Sequence, residues 1–391
     1  MIGQRLKQLR MSRGFSLDAL AAELGGIVTK QALSKYEQGK IRPSPVVLNK
    51  LASTLGIKVS YLFKEPTIQV KFIAYRKVSR LPKKEQLRVE CLVKEALEDR
   101  IRLQQLTNQA NGSHIPIQSM RVKTIEDVEA AAQKLRTQWE LGVDPISSVT
   151  DILEAHFIHV LPVNADDKFD GIAAVAYSGN HHVMAAAVVT RGEISGERQR
   201  LNLTHELGHL VLDMPKNLDE EKTAFRFGAA FLAPAEVVYR EVGTKRGFMQ
   251  PEELLLLKRY FGMSIQALLY RLRDLGIITE SHYKQWCMDI SRLSWRKQEP
   301  LELKPERAKW LRQKVLRAFA EGVITLEDAE RMLGDKLNTK QPLSLIERRA
   351  FMKLPTEERR RILVEQAGKM VAYYEQHREW EELQGGDVIE Y

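Results

Sequence analysis

Cysteine is nearly absent: the 391 residues include two, Cys91 and Cys287. Two thiols so far apart cannot build a disulfide framework, nor by themselves a metal site. Long apolar runs are missing too. Val183 to Val189 is among the longest, far short of the roughly 18 residues a membrane span needs. The opening Met1-Ile2-Gly3-Gln4-Arg5 leads into a polar amphipathic pattern and lacks the apolar stretch of a signal peptide. No repeat of fixed period is visible. Together these absences argue against secretion and membrane association, and they fit a reducing cytoplasm.

What is present is ordinary globular matter with an uneven charge. The chain is 44% hydrophobic, enough for real cores, and its length suggests two to four domains at roughly 100–200 residues each. The net charge is +9. Residues 1–63 hold ten lysines and arginines against three acids, a net +7, whereas residues 375–391 hold six acids against Arg378. A basic head suits a polyanion; an acidic tail suits a basic protein partner or plain solvation.

Residues 1–66 read as a bundle of short helices. Ser16 is placed to cap a helix over 17–24, Gly25-Gly26 to break it, Thr29 to cap the next over 30–38 and Gly39 to end that one. Residues 67–120 read as a helical linker, with an amphipathic helix from Lys83 to Leu106 that could pair two chains into a homodimer or fold back on its own domain. Residues 121–295 mix helices with three strand-like runs, Ile158–Val163, Gly171–Tyr177 and His182–Val189. Residues 296–391 read as a helical C-terminal region. The expected fold is therefore mainly α and multidomain, with a helix-turn-helix bundle first, a small α+β core in the middle and helices after it.

The middle region contains His205-Glu206-Leu207-Gly208-His209. On a helix, positions i and i+4 share a face, so both imidazoles can reach one tetrahedral metal. Glu206 lies one step around, where it can take a proton from water at the metal as general base. Leu203, Leu207 and Leu210 would bury the opposite side. A catalytic zinc wants three protein ligands and an open position; the downstream acids are Asp213, Asp219, Glu220, Glu221 and Glu236. Glu221 fits best on pattern, opening a helix whose packed face would include Ala224, Phe225, Gly228 and Leu232, while Glu220 would turn about 100° away. His181 and His182 fall on an expected strand, where a core or surface role outweighs ligation.

In the head, Lys30, Gln31, Ser34 and Lys35 sit near the start of the expected second helix, the place from which a helix-turn-helix reads the major groove. Gln31 can make two hydrogen bonds to an adenine edge, and Lys30 and Lys35 suit guanine or phosphate. Arg10, Arg13, Lys40 and Arg42 are candidates for neutralising the DNA backbone.

These motifs carry resemblances. The run from Glu197 to His209, with Glu221-x-x-Ala224-x-Arg226-Phe227-x-Ala229-x-x-Leu232-x-Pro234 after it, resembles the ImmA/IrrE metallopeptidases. The likeness extends upstream over 145–189, where Phe169-Asp170-Gly171-Ile172 looks like the start of a family strand. It implies a zincin-like peptidase core with one Zn2+ per chain held by His205, His209 and Glu221, Glu206 as general base, and a protein substrate such as a repressor or an antitoxin. Phe225 and Ala233 depart from the family's usual Asn and Met. Residues 2–63, including Leu33-Ser34-Lys35-Tyr36-Glu37-Gln38-Gly39 and Leu51-Ala52-x-x-Leu55-Gly56, resemble the repressor-type helix-turn-helix family, which implies a double-stranded DNA operator; Leu17 stands where the family often has Gln. The element from Phe261 to Gly276 resembles a further helix-turn-helix, for which packing is the expected role. The tail from Leu354 to Tyr391 resembles small bacterial antitoxins. That last likeness supports a rival expectation: a DNA-binding transcription factor or antitoxin with a non-catalytic metal site, whose tail neutralises a toxin.

Overall fold

The computed structural model of the chain describes residues 2–64, 68–73, 82–107, 115–165, 169, 171–179, 181–296, 298–337 and 351–376. It divides into two compact units, residues 1–335 and 336–391. Residues 296–335 lie in the first unit. Partly buried polar contacts hold that segment: the Glu306 carboxylate accepts hydrogen bonds from the Val149 and Thr150 amides and from Arg200, and Glu299 pairs with Lys258.

The first unit opens with α1 (Ile2–Ser12), α2 (Leu17–Glu23), α3 (Lys30–Glu37), α4 (Pro45–Thr54) and a 3-10 turn (Val59–Phe63). Their ends are written locally. Ser16, Thr29 and Ser44 each accept a backbone N–H of the first turn that would otherwise lack a partner. Gly25 and Gly26 both take positive φ between α2 and α3, a conformation other residues rarely adopt. Leu6, Leu9, Leu20, Leu24, Leu33 and Leu51 make the buried centre of this bundle.

A four-stranded sheet follows, in the order β1-β4-β5-β3, from β1 (Gln69–Ile73), β3 (Ile158–Val163), β4 (Gly171–Tyr177) and β5 (Val183–Arg191). The β1/β4 and β4/β5 pairs are antiparallel and β3/β5 is parallel. A separate two-residue parallel pair joins β2 (Met120–Arg121) to β6 (Leu212–Asp213). The three expected strands are present within a residue or two. His181 and His182 lie just before β5 and are exposed, with His181 at positive φ. Gln69–Ile73 was expected as linker and is instead an edge strand.

The Lys83–Leu106 helix, α5, folds back on its own unit. Its Val89, Val93, Leu97 and Ile101 pack on one sheet face with Ile172, Ala174, Ala185, Ala187 and Val189. The opposite face, through Ala173, Val175, Ala186 and Val188, packs against Leu203, Leu207 and Leu210 of α8 (Gly196–Val211). Alanines on both faces of β4 and β5 leave room for helices to approach closely. α6 (Asp127–Gln138) and α7 (Val149–Ala155) precede the sheet, and α9 (Glu220–Leu232) crosses α8. After these come α10 (Ala235–Val242), α11 (Pro251–Phe261), α12 (Ile265–Asp274), α13 (Glu280–Arg292), α14 (Trp310–Ala320) and α15 (Leu326–Leu333). The element from Phe261 to Gly276 spans the α11–α12 junction, with Phe261, Ile265, Leu268 and Leu272 in the core, as expected of a packing element.

In the second unit the described structure is chiefly one helix, α16 (Thr356–Gln376). The acidic, aromatic end of the antitoxin-like tail, 377–391, lies outside the described residues, as does Asp170.

Lys258 of α11 is fully buried, with Nζ 2.7 Å from Glu197 at the start of α8 and 3.0 Å from Glu299. Removing one partner of a buried ion pair strands the other charge. Glu197→Ala leaves Lys258 with Glu299 alone and the Leu303 amide without its acceptor, so a loss of about 1–3 kcal/mol is expected, measured as a lower denaturant midpoint with an unchanged slope.

Candidate metal centre

α8 presents His205 and His209 one turn apart, both almost completely buried, with their Nε2 atoms 3.1 Å from each other. α9 brings Glu221 to them. Its two carboxylate oxygens lie 3.6 Å from His205 Nε2 and 3.6 Å from His209 Nε2. In a tetrahedral site with metal–ligand bonds of about 2.0–2.1 Å, donor atoms stand roughly 3.3 Å apart. The 3.1 Å between the nitrogens and the 3.6 Å from each imidazole to its nearer Glu221 oxygen are near that spacing, and two nitrogens with one carboxylate are a donor set that suits zinc. Among the described residues this is the one group of three that meets a metal-site spacing.

Glu206 is as buried as the histidines. It rests against the start of β4, where a Cβ on Gly171 would come within 2.9 Å of Glu206 Oε1. A side chain there would press on the Glu206 carboxylate and, at 3.1 Å, on the Val189 carbonyl, so it is closeness and not backbone angle that favours glycine. Burial by itself would lower the His209 pKa, yet Glu220, Glu221 and Glu206 around it raise it to about 9. The imidazoles thus sit in concentrated negative charge, the field that a divalent cation complements.

The crossing of α8 and α9 also depends on glycine. A Cβ at Gly228 would stand 2.9 Å from the His205 amide nitrogen, and one at Gly208 would stand 3.2 Å from Ala224 Cα. The backbones touch where both helices lack side chains, and that contact sets Glu221 opposite the imidazoles.

The other acids sort out by position. Glu220, expected to turn away, reaches within 3.4 Å of His209 Nδ1, because α9 enters at an angle that lets its first two residues flank one imidazole. The carboxylate thus faces Nδ1, while Nε2 of the same ring faces His205 and Glu221. Asp219 caps α9 through the Lys222 amide. Asp213 lies in β6 and Glu236 is exposed on α10; neither belongs to the cluster. Phe225, expected within the packed face, is instead 42% exposed, with its ring 4.2 Å from that of His205. It lines a cleft of about 990 Å³ together with Asn202, Glu206, Tyr270, Tyr283 and Trp295. Gly171, Glu220 and the role of Phe225 were missed in the sequence; a glycine opening an otherwise β-prone run was the available signal for the first.

In the head, Lys30, Gln31, Lys35, Lys40 and Arg42 are exposed and Ser34 is half-buried. Lys30 pairs with Asp18 at the surface. Arg10 and Arg13 are not free for phosphate. Arg10 is buried and bonded to Glu37 and to the Phe15 carbonyl. Arg13 makes a two-pronged bond to Glu95 of α5, a partner 82 residues away that no local pattern announces.

Comparison with known proteins agrees with this division. Residues 6–62 match the helix-turn-helix family model, and residues 183–273 match a peptidase family model described as an IrrE N-terminal-like domain. The chain thus carries an N-terminal helix-turn-helix domain and a peptidase-family domain of the IrrE/ImmA kind. The chain is 42% identical over 64 residues to the SPbeta prophage-derived HTH-type transcriptional regulator YonR of Bacillus subtilis, covering 16% of this chain and 57% of that one. It is 41% identical over 64 residues to the HTH-type transcriptional regulator PuuR of Escherichia coli, covering 16% and 34%, and 41% over 66 residues to SinR of Bacillus licheniformis, covering 17% and 58%. The chain therefore spans between a third and three-fifths of the length of these relatives. No solved structure gives a significant match.

Gly228→Ala should press a methyl group on the His205 backbone. A cost of about 1–3 kcal/mol is expected from overpacking, measured as a lower thermal midpoint, whereas Gly179→Ala, which meets nothing within 4 Å, should leave the midpoint in place.

Proposed function

We propose that this chain is a cytoplasmic DNA-binding regulator whose IrrE-like domain is a zinc-dependent endopeptidase acting on a protein partner, a repressor or an antitoxin. The observation that carries the reading is the approach of His205, His209 and Glu221 to metal-ligand spacing, with Glu206 buried beside them and a cleft lined by His205, Glu206 and Glu221.

His205, His209 and Glu221 would hold the metal, and Glu220 would orient His209. When bound, zinc supplies Lewis-acid chemistry, lowering the pKa of water and polarising a peptide carbonyl. Glu206 takes the proton that water loses during attack and returns it to the departing amine. Its seat against Gly171 limits the carboxylate to few rotamers, which favours one proton-transfer geometry. Phe225 and the aromatic groups of the cleft offer apolar surface to substrate side chains and limit water around the reacting bond.

For the head, Gln31, Lys30, Ser34 and Lys35 at the start of α3 would meet base edges, and Lys40 and Arg42 would meet phosphates. Arg10 and Arg13 are left out, because carboxylates already occupy their guanidinium groups. A homodimer on an inverted-repeat operator fits this mode of reading. Among the described residues, no helix is long and apolar enough to cross a membrane.

Two experiments test the two halves. Elemental analysis is expected to find about one zinc per chain in wild type and in Glu206→Gln, and to find it lost in His205→Ala/His209→Ala. Cleavage of the partner should fall on the order of 10²–10⁴-fold in Glu206→Gln while operator binding stays unchanged. Full activity in Glu206→Gln would remove the peptidase mechanism.

For DNA, affinity of the full chain should fall steeply as salt rises. Lys40→Ala should weaken all sequences about equally, and Gln31→Ala should relax base preference, both read by fluorescence anisotropy against operator and random duplexes. Binding that ignores salt would count against this head as a DNA reader.

A further inference from the structure

β4 is the strand that meets the candidate centre, since Gly171 at its start touches Glu206. One edge of β4 pairs with β5. The other is covered, among the described residues, by β1, in the register Gln69↔Tyr177 through Ile73↔Ala173. β1 is a weak tenant of that edge. Each of its residues is exposed or half-buried, whereas β4 is buried from Gly171 to Ala176. Ile68, Val70 and Phe72 rest on the sheet face covered by α5, and Ile73 rests on the face covered by α8. The strand follows the helix-turn-helix bundle almost directly, as the 3-10 turn ends at Phe63.

The direction of β1 matters. It runs antiparallel to β4, so its C-terminal end points toward Gly171. Ile73 stands opposite Ala173, two residues short of Gly171, about 7 Å at the rise of a strand. Any extended peptide paired in this register and continuing two residues further would carry its backbone alongside the start of β4, at the level of Glu206. An uncovered sheet edge presents a row of N–H and C=O groups that captures such a peptide by strand addition, with pockets for alternate side chains giving preference.

We propose that the outer edge of β4 is a docking site for an extended peptide segment with apolar residues at alternate positions, and that residues 68–73 of this chain are its resident occupant. Ile68, Val70 and Phe72 define the alternate apolar pattern; Gln69 and Lys71, exposed, place no demand on the intervening positions. A substrate bound this way competes with β1 for the same backbone groups, so the segment that tethers the DNA-reading head also guards the edge beside the centre. The meaning of this site rests on the peptidase reading, but its occupancy is measurable without turnover.

The probe is a fluorescein-labelled peptide Ile-Gln-Val-Lys-Phe-Ile, titrated into the full chain carrying Glu206→Gln so that the peptide stays intact. Prolines at Val70 and Lys71 remove ladder N–H groups and should release β1. Val70→Pro/Lys71→Pro is expected to bind the probe at least tenfold more tightly than the parent, with Phe72→Ala in between, and a peptide with aspartate at its first, third and fifth positions should not bind. Hydrogen exchange at 173–177 should speed up in the proline variant and slow again when the probe is added. Equal affinity in all three proteins, or tighter binding with no change in exchange at 173–177, overturns the proposal. Should the proline variant lose its thermal transition, Phe72→Ala against the parent decides by the same criterion. Probe binding as expected, together with a zinc-loaded chain that keeps Glu206 and cleaves no repressor or antitoxin partner, would overturn the peptidase reading and leave the docking edge standing.

Discussion

Everything around the candidate centre depends on two helices touching backbone to backbone. Gly208 on α8 and Gly228 on α9 leave no space for a Cβ between them, and this contact fixes how far Glu221 stands from the imidazoles. A longer separation would leave three polar groups that no single ion could bridge. The same economy of side chains recurs above α8, where the alanines of β4 and β5 and the glycine at 171 let the sheet settle on the helix that carries Glu206. Small residues here are a distance specification, written at the positions where a larger side chain would separate Glu206 and Glu221 from their neighbours.

A helix held so closely on one side must be anchored on others, and α8 is anchored by charge. Glu197 at its first turn meets buried Lys258, and Arg200 donates to the Ile146 and Gly262 carbonyls and to Glu306. Buried charges contribute less to net stability than their number suggests, since desolvation offsets much of the attraction. Their directional demands are strict, however, and they tie α8 to segments at 146, 262 and 299–306 at once. This explains why 296–335 belongs to the first unit despite its polar composition.

The parts of this arrangement legible in the sequence were those encoded by short spacing. His205 and His209 one turn apart, Leu203, Leu207 and Leu210 on the other face, and the caps at Ser16 and Thr29 all follow from helix geometry acting over a few residues. Glu221 was legible because the face it shares with Ala224 and Gly228 sets its direction. What escaped depends on residues far apart in the chain. β1 is five residues with no run long enough to stand out, and it becomes a strand by pairing with residues 173–177. Arg10 and Arg13 look like phosphate ligands beside other basic residues, and only Glu37 and Glu95, brought close by the fold, neutralise them. Glu220 and Glu221 could be ranked by helix rotation, but the angle at which α9 meets α8 was not available from rotation alone.

Those long-range pairs also determine how the two halves of the first unit communicate. α5 offers Glu95, Glu98 and Asp99 within little more than one turn; Arg13 and Arg5 of the head take the first two, and Arg331 of α15 takes the third. Tyr61 of the 3-10 turn lies among them, with Arg5 and Arg331 both over its ring, and burial, followed by the nearby Asp99 charge, pushes its hydroxyl pKa well above the usual range. The other side of α5 packs on the sheet through Val93 and Leu97. One helix therefore lies between the helix-turn-helix bundle and the sheet whose β4 strand meets Glu206, bonded to the first and packed on the second. A head joined by a loose tether could move without consequence for the sheet. Here a displacement of α1 must either break its charge pairs with α5 or carry α5 with it over the sheet, and the second route reaches the strand beside the candidate centre.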